Sequence, residues 1–168
     1  MTDNPGHVDR MPIQPATVTL TIPCSAEYVS VARLAILGIA SRMPFSYDEV
    51  EDVRLAVGEA CTHAVERAKI ANDASSIKTL IESGLEGDTH EITIVSKVSE
   101  ATLTIEVSDT VPLVPPGSVV VADDFEDAEI DHQGLGALLI EILVDEVEID
   151  SRSDGTTVRL HKHAPVHQ

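Results

Sequence analysis

The sequence predicts one α+β domain, in which a mixed, mainly antiparallel sheet is covered on one face by helices. Short segments alternate strictly between apolar and polar residues, as half-buried strands do, and longer segments carry apolar residues at helical spacing. The elements follow the order strand, helix, helix, strand, strand, loop, helix, strand, strand. Strands and helices grouped in this way favour two packed layers, and 168 residues suffice for one core.

The N-terminal part of the chain predicts one strand and one helix. Residues 1–15 are polar and contain prolines, so we expect a flexible segment there. The run 16–22 alternates strictly and predicts a strand that ends at Pro23. Ser25 is a candidate N-cap for a helix over 26–42.

A long amphipathic helix is predicted over residues 47–70. Ser46 and Glu49 have the spacing of a capping box, in which each side chain binds the other residue's backbone N–H at a helix start. The residues that recur about every 100° around the axis, and so predict its core face, are Val50, Val53, Val57, Ala60, Cys61, Ala64 and Ala68. The polar segment 71–89 predicts a loop that holds at most one short helix near 77–81.

Two hairpins are predicted in the C-terminal half of the chain. Residues 91–98 and 101–107 both alternate and are separated by a two-residue turn. A second hairpin is predicted from 145–151 and 156–162, with its turn at 154–155.

A long aperiodic segment and a short helix lie between these hairpins. Residues 109–133 contain prolines, glycines and the acidic stretch 123–131, and such long segments inside a domain are usually functional or disordered. Residues 134–144 predict a helix that begins at a glycine, and 164–168 predict a frayed tail.

The charge of the chain excludes one class of partner. The net charge is −18, from 29 acidic and 11 basic residues, so a nucleic-acid backbone would be repelled. Aromatic residues make up 2%, too few for a surface on which bases stack. The charge is compatible with a basic protein partner, or with solubility alone. The sequence has no apolar run of about 20 residues, as a membrane span needs, and no secretory signal, so we expect a cytoplasmic protein without membrane contact.

Cys24 and Cys61 lie in apolar patterns and lack the spacing of metal ligands. They predict buried free thiols.

Glu59 and His63 are four residues apart on the long helix and therefore share one side of it, nearly opposite the core face. One interpretation is a solvated helix face with a weak pair, and the other is that both side chains line a cleft. A third interpretation makes them transition-metal ligands, assisted by His161 or His163, although the sequence identifies no third ligand.

Gly134 and Gly136 open the third helix after the long aperiodic segment. Glycines at a helix start allow a phosphate to approach the free backbone N–H groups, where the helix dipole favours anions. The alternative interpretation is a flexible hinge. Asp109 ends the strand that precedes the aperiodic segment.

These motifs together, and in this order, resemble one known family. The resemblance is carried by the stretches 53–63 (VRLAVGEACTH), 134–147 (GLGALLIEILVDEV) and 154–160 (DGTTVRL). They are similar to the anti-sigma-factor serine/threonine kinases of the GHKL ATPase superfamily. The resemblance implies the two-layer α/β sandwich of the Bergerat type over residues 16–163, with an ATP lid at about 110–133.

The resemblance implies roles for the residues on the long helix and at the strand end. Glu59 takes the position of the catalytic base, and His63 takes that of an asparagine which binds Mg²⁺. Because imidazole suits softer metals than Mg²⁺, this departure puts magnesium binding in doubt. Asp109 takes the position that reads the adenine amino group, while Val111 and Leu113 stand where glycines are common.

The resemblance also implies contacts from three other segments. Gly134, Leu135 and Gly136 would bind the phosphates of ATP, and Thr156 and Thr157 match the threonines of the closing hairpin, one of which supports the adenine pocket. An arginine in the first helix of similar proteins helps to dock protein partners, and Arg33 matches it by position. An exposed arginine without such a role is the alternative.

Two hypotheses of function follow. In the first, the protein sequesters a sigma factor, binds ATP and phosphorylates a serine of a STAS-type antagonist, and two copies pair through their sheets. In the second, a non-catalytic module keeps the fold and regulates by binding its partners, with or without nucleotide, because His63, Val111 and Leu113 depart from the family pattern.

Overall fold

Five strands and three α-helices follow one another in the computed structural model, which describes residues 15–79, 90–112 and 132–165. In chain order they are β1 (Ala16–Pro23), α1 (Val29–Ala40), α2 (Tyr47–Thr79), β2 (Glu91–Val98), β3 (Thr102–Asp109), α3 (His132–Leu143), β4 (Glu146–Arg152) and β5 (Gly155–His163). None of the described helices is both long and apolar enough to cross a bilayer.

The strands form one sheet in the order β1-β2-β3-β5-β4. Every pairing among them is antiparallel, whereas we expected a mixed sheet. The reason lies in the last hairpin. β4 runs parallel to β3 but lies at the sheet edge, and β5 lies between these two strands and is antiparallel to both. The α+β class and the helices on one face are confirmed.

The core lies between the inner face of the sheet and the three helices. Alternate residues of β2 and β3 are buried there, as the strict alternation of their sequences requires. The whole predicted core face of α2 is buried, which confirms that expectation. These small side chains allow α1 and α3 to pack closely on the long helix.

The start of α2 has the predicted capping box. The Ser46 backbone N–H donates to Glu49 Oε2 at 2.7 Å, and the Glu49 N–H donates to Ser46 Oγ at 3.2 Å. The helix continues to Thr79, nine residues beyond the predicted end at Ile70. The added segment contains no glycine or proline to end it, and polarity alone does not stop a helix. The rest of the expected loop, 80–89, lies outside the described residues.

Three other boundaries differ from the sequence-based expectation. Ser25 precedes a short 3₁₀ turn and makes no side-chain cap, and α1 begins only at Val29. The helix α3 begins at His132, two residues before Gly134. The last hairpin turns at 153–154, because Gly155 already pairs with Arg152.

Some expected segments fall wholly or partly outside the description. These are 1–14 of the N-terminal segment, 113–131 of the expected lid and 166–168 of the tail. The tail begins in an ordered position, since the Ala164 N–H donates to the carbonyl of Ala101 at 2.7 Å.

A line of charges crosses the outer face of the sheet. Lys97 Nζ donates to Glu106 Oε1 at 2.9 Å, and Arg159 joins Glu106 to Glu148 on the far side. The hydrogen bond from Lys97 is the main cause that lowers the pKa of Glu106 below its usual 4.5, and Arg159 adds to it.

This lowered pKa predicts a pH-dependent stability. A carboxyl whose pKa is depressed on folding stabilises the protein above its unfolded pKa, and loses that contribution as pH falls through its folded pKa. We therefore expect the free energy of unfolding of the wild type to exceed that of Glu106→Gln at pH 6, and the difference to vanish well below pH 4.5. Urea unfolding of both proteins at several pH values measures this difference in the free energy of unfolding. A difference that does not change with pH would contradict the assignment.

Candidate functional site

Glu59 lies on α2 beside a cation from the neighbouring helix. Arg33 Nη2 of α1 is 3.9 Å from Glu59 Oε1, and the two side chains are 35% and 28% exposed. Gly58 makes this approach possible, because a Cβ at that position would stand 2.2 Å from Arg33 Nε. Glu59 therefore forms an ion pair with Arg33, which the sequence-based interpretation of a cleft did not include. This ion pair also places Arg33, still partly exposed, beside the candidate catalytic carboxylate.

His63 lies one turn further along α2 and faces α3. A Cβ on Gly136 would stand 1.9 Å from His63 Nε2, so the glycine leaves the space that the imidazole fills. The His63 side chain is only 14% exposed, and its Nδ1 is 3.7 Å from Glu66 Oε2. His63 is thus enclosed against α3, contrary to the solvated-face interpretation, whereas Glu59 stays partly exposed beside Arg33.

The first turn of α3 differs from the sequence-based interpretation. Because α3 begins at His132, Gly134 and Leu135 lie among the first four helical residues, whose N–H groups have no partner within the helix. Gly136 follows them, so its role is to make room for His63 rather than to open the helix. The side chain of Leu135 lies outside the described part of the structure.

Asp109 is a buried carboxylate at the end of β3. Its side chain is 3% exposed, and its Oδ1 accepts the backbone N–H of Val111 at 3.0 Å. Arg67 Nη2 donates to its Oδ2. Val111 is fully buried, so it fills the space that a glycine would leave open. Leu113, the other departure, lies outside the described residues.

The start of β5 closes the site next to Asp109. A Cβ on Gly155 would stand 2.0 Å from the carbonyl oxygen of Asp109, so only glycine allows this approach. Thr156 is 5% exposed and its Oγ1 has no partner. Thr157 does not join the site: strand alternation turns it to the outer face, where its Oγ1 lies 3.1 Å from Ser108 Oγ.

Arg67 was missed by sequence reasoning. It follows His63 by four residues, so Glu59, His63 and Arg67 lie on successive turns of α2, each about 40° further around the axis. That spacing was the available signal. Its partner could not be found in the same way, because Asp109 is 42 residues away in the chain.

Four buried side-chain nitrogen and oxygen atoms in the described residues have no hydrogen-bond partner, and all belong to this region. They are Arg33 Nε, His63 Nε2, Arg67 Nε and Thr156 Oγ1. Buried polar atoms in folded proteins are almost always paired. Their grouping around α2 therefore indicates a site for a ligand that brings its own polar groups.

The two cysteines do not supply a nucleophile. Burial raises the pKa of Cys61 to about 12 and that of Cys24 to about 11, and the Asp109 carboxylate adds to the second shift. Both thiols stay protonated at neutral pH. They are free, and Cys61 is buried as expected, while Cys24 is only partly so.

The transition-metal interpretation with His161 or His163 as further ligands is contradicted by the positions of these two histidines. His161 and His163 lie on β5 and bond Thr104 and Thr102 of β3. Val158 and Leu160 of β5 are buried under the helices, so strand alternation turns His161 and His163 to the outer face, away from Glu59 and His63. Within the part of the chain that is described, no group of three or more potential ligands comes together.

The residues at the position expected to bind Mg²⁺, Glu59 and His63, do not suit this ion either. Mg²⁺ prefers oxygen ligands in octahedral geometry. His63 offers only nitrogens, one of them turned against Gly136, and the Glu59 carboxylate already faces Arg33. We therefore assign no step of a reaction to a magnesium ion.

Comparison with known proteins agrees with the family resemblance seen in the sequence. Residues 22–162 match the family model described as a histidine kinase-like ATPase domain. The chain is 34% identical over 146 residues to the serine-protein kinase RsbW of Bacillus velezensis, covering 87% of this chain and 84% of that protein. It is 32% identical to RsbW of Bacillus subtilis with the same coverage, and 34% identical to RsbW of Oceanobacillus iheyensis, covering 87% and 85%.

Proposed function

Because the chain belongs to the histidine kinase-like ATPase domain family, we propose that it is an anti-sigma regulatory factor with serine kinase activity. In this proposal it sequesters a sigma factor, binds ATP along α2 and phosphorylates a serine of a STAS-type antagonist. The observation that carries the proposal is the group of four buried, unpartnered polar atoms around α2. A nucleotide has base, hydroxyl and phosphate groups that can pair with them.

The base of the nucleotide would lie at Asp109 and Thr156. The buried carboxylate can accept the adenine amino group, and the free Thr156 hydroxyl can donate to or accept from the ring. The tight contact of Gly155 with the Asp109 carbonyl fixes these two residues relative to each other.

The phosphates would lie where α3 begins. The free N–H groups at Gly134 and Leu135 and the positive end of the helix dipole favour an anion there. His63 supports this helix start from α2, and its unpartnered Nε2 is a further polar group beside it.

Glu59 would act as the base in phosphoryl transfer. The serine oxygen attacks the γ-phosphorus while Glu59 accepts the hydroxyl proton, the bond to the bridging oxygen breaks, and ADP leaves with the electron pair. Arg33 keeps the carboxylate in place and lies close to the charge that moves during transfer.

The partner assignments rest on the same proposal. The relatives are named serine-protein kinases, which supports a protein substrate. The net charge of −18 supports basic surfaces on the bound proteins. Arg33 is the partly exposed residue beside Glu59 that we propose contacts them. We further propose a homodimer that acts in the cytoplasm, where sigma factors operate.

Calorimetric titration with ATP, with and without Mg²⁺, tests the first step of this proposal. A transfer assay with labelled ATP and purified STAS-type antagonists tests the second. We expect ATP to bind and the label to move to the antagonist. Absence of both would contradict the proposal.

The alternative is a non-catalytic binding module, and the imidazole at position 63 favours it. The His63→Asn variant separates the two functions, because asparagine supplies the oxygen that Mg²⁺ prefers. If the protein is a kinase as it stands, we expect the wild type and the variant to phosphorylate the antagonist at rates within about tenfold, the size of a single binding contact. Transfer by the variant alone would establish the non-catalytic alternative. Melting curves of both proteins control for folding.

A further inference from the structure

The carboxylate of Asp109 already accepts two hydrogen bonds in the protein without nucleotide. Its Oδ1 accepts the Val111 N–H, and its Oδ2 accepts a hydrogen bond from Arg67. Only 3% of the Asp109 side chain is exposed, against 23% of Arg67. Little of the carboxylate is therefore open to a ligand while Arg67 is bound to it.

Two of the roughly four acceptor positions of the carboxylate are used, but so little of it is exposed that a base can donate its amino group only by displacing this guanidinium. The hydrogen bond between Arg67 and Asp109 joins two charged groups, and such bonds are about twice as strong as neutral ones. An amino group of a base is a neutral donor, so exchanging one for the other is unfavourable. Val111, fully buried beside the carboxylate, leaves little space for the base to approach from its side.

Only part of the hydrogen-bonding capacity of the Arg67 guanidinium is used. Its Nη2 bonds Asp109, while its Nε is buried and has no partner. The guanidinium is therefore not held by a full two-bond fork, and one charge-assisted hydrogen bond is what a ligand has to replace.

We infer that Arg67 competes with adenine for Asp109 and thereby sets the affinity of the protein for adenine nucleotides. The inference rests on the proposed function, because it concerns the base end of the same site. It adds a specificity-determining residue that neither the sequence motifs nor the family match points to.

The test is the Arg67→Gln variant, titrated with ATP, ADP and inorganic tripolyphosphate at a temperature where circular dichroism shows it folded. We expect ATP and ADP to bind about tenfold more tightly than to the wild type, the factor that one lost charge-assisted bond corresponds to. Tripolyphosphate has no base, so its affinity should change by less than about twofold, which locates the effect at the base end.

Arg54→Gln is the matched control. Arg54 lies on the same helix and forms an ion pair with Glu51, away from Asp109. The Arg54→Gln variant should bind ATP, ADP and tripolyphosphate with the same affinities as the wild type. If Arg67→Gln does not fold, Arg67→Lys provides the second variant: the ammonium makes a single point contact, and a gain of about threefold is expected.

The outcomes separate this inference from the proposed function. ATP affinity that is unchanged or weaker in Arg67→Gln overturns the inference, even where the wild type binds ATP and the proposed function stands. Equal losses for ATP and tripolyphosphate would show that Arg67 binds phosphate instead, which also overturns it. A wild type that binds no ATP, with a variant that does, supports the inference and contradicts nucleotide binding by the native protein.

Discussion

Replacing Glu59 with glutamine should lower the rate of phosphoryl transfer to the antagonist by about a thousandfold, within the range that a general base contributes. Glutamine keeps the shape of the side chain but cannot accept the serine proton. Its amide oxygen can still face Arg33, so the local geometry is retained. Single-turnover transfer from labelled ATP measures the rate.

Two controls make this prediction specific. ATP affinity of Glu59→Gln should stay within about threefold of the wild type, because the base acts in transfer rather than in binding. Glu51→Gln removes a carboxylate of the same helix that pairs only with Arg54 in the described structure, and its transfer rate should not change. A transfer rate for Glu59→Gln close to that of the wild type would remove Glu59 from the chemistry.

Replacing Gly136 with alanine should destabilise the protein and abolish measurable nucleotide binding. The new Cβ would stand 1.9 Å from His63 Nε2, and the enclosed imidazole has little space to move away. Either α3 or His63 must shift, and overpacking of this kind costs about 1–3 kcal/mol. Urea unfolding gives the stability, and calorimetry with ATP gives the binding.

The chain provides a matched glycine and a rescue for this experiment. A Cβ on Gly38, in α1, meets nothing within 4 Å, so Gly38→Ala should instead stabilise the protein by about 0.5–1 kcal/mol. Adding His63→Ala to Gly136→Ala removes the clash and should recover most of the lost stability. If the double variant is no more stable than Gly136→Ala, the contact between the two helices is not the cause.

Local patterns of the sequence predicted the helical part of the fold well. The capping box at Ser46 and Glu49 and the core face of α2 depend on residues close together in the chain, and both are present as predicted. The end of α2 was not predictable in this way, because no residue between 71 and 79 is a strong helix breaker.

The site was less accessible to such reasoning, since its decisive contacts join distant segments. The motifs identified Glu59 and Asp109, but the cations beside them, Arg33 and Arg67, come from α1 and from a later turn of α2. Thr157 was assigned to the site by its motif, although strand alternation allows only Thr156 to face inward. Pairing between elements, rather than residue type, decides these cases.

The regular spacing of three side chains along α2 also sets the size of whatever binds there. With a rise of about 1.5 Å per residue, the Cα atoms of Glu59 and Arg67 are separated by about 12 Å along the axis. Only an elongated ligand can reach from Glu59 to the Asp109 carboxylate that Arg67 bonds. Deleting one residue between Glu59 and Arg67 would rotate Glu59 by about 100° relative to Arg67, so Glu59 could no longer face the same ligand as the Asp109 carboxylate beside Arg67.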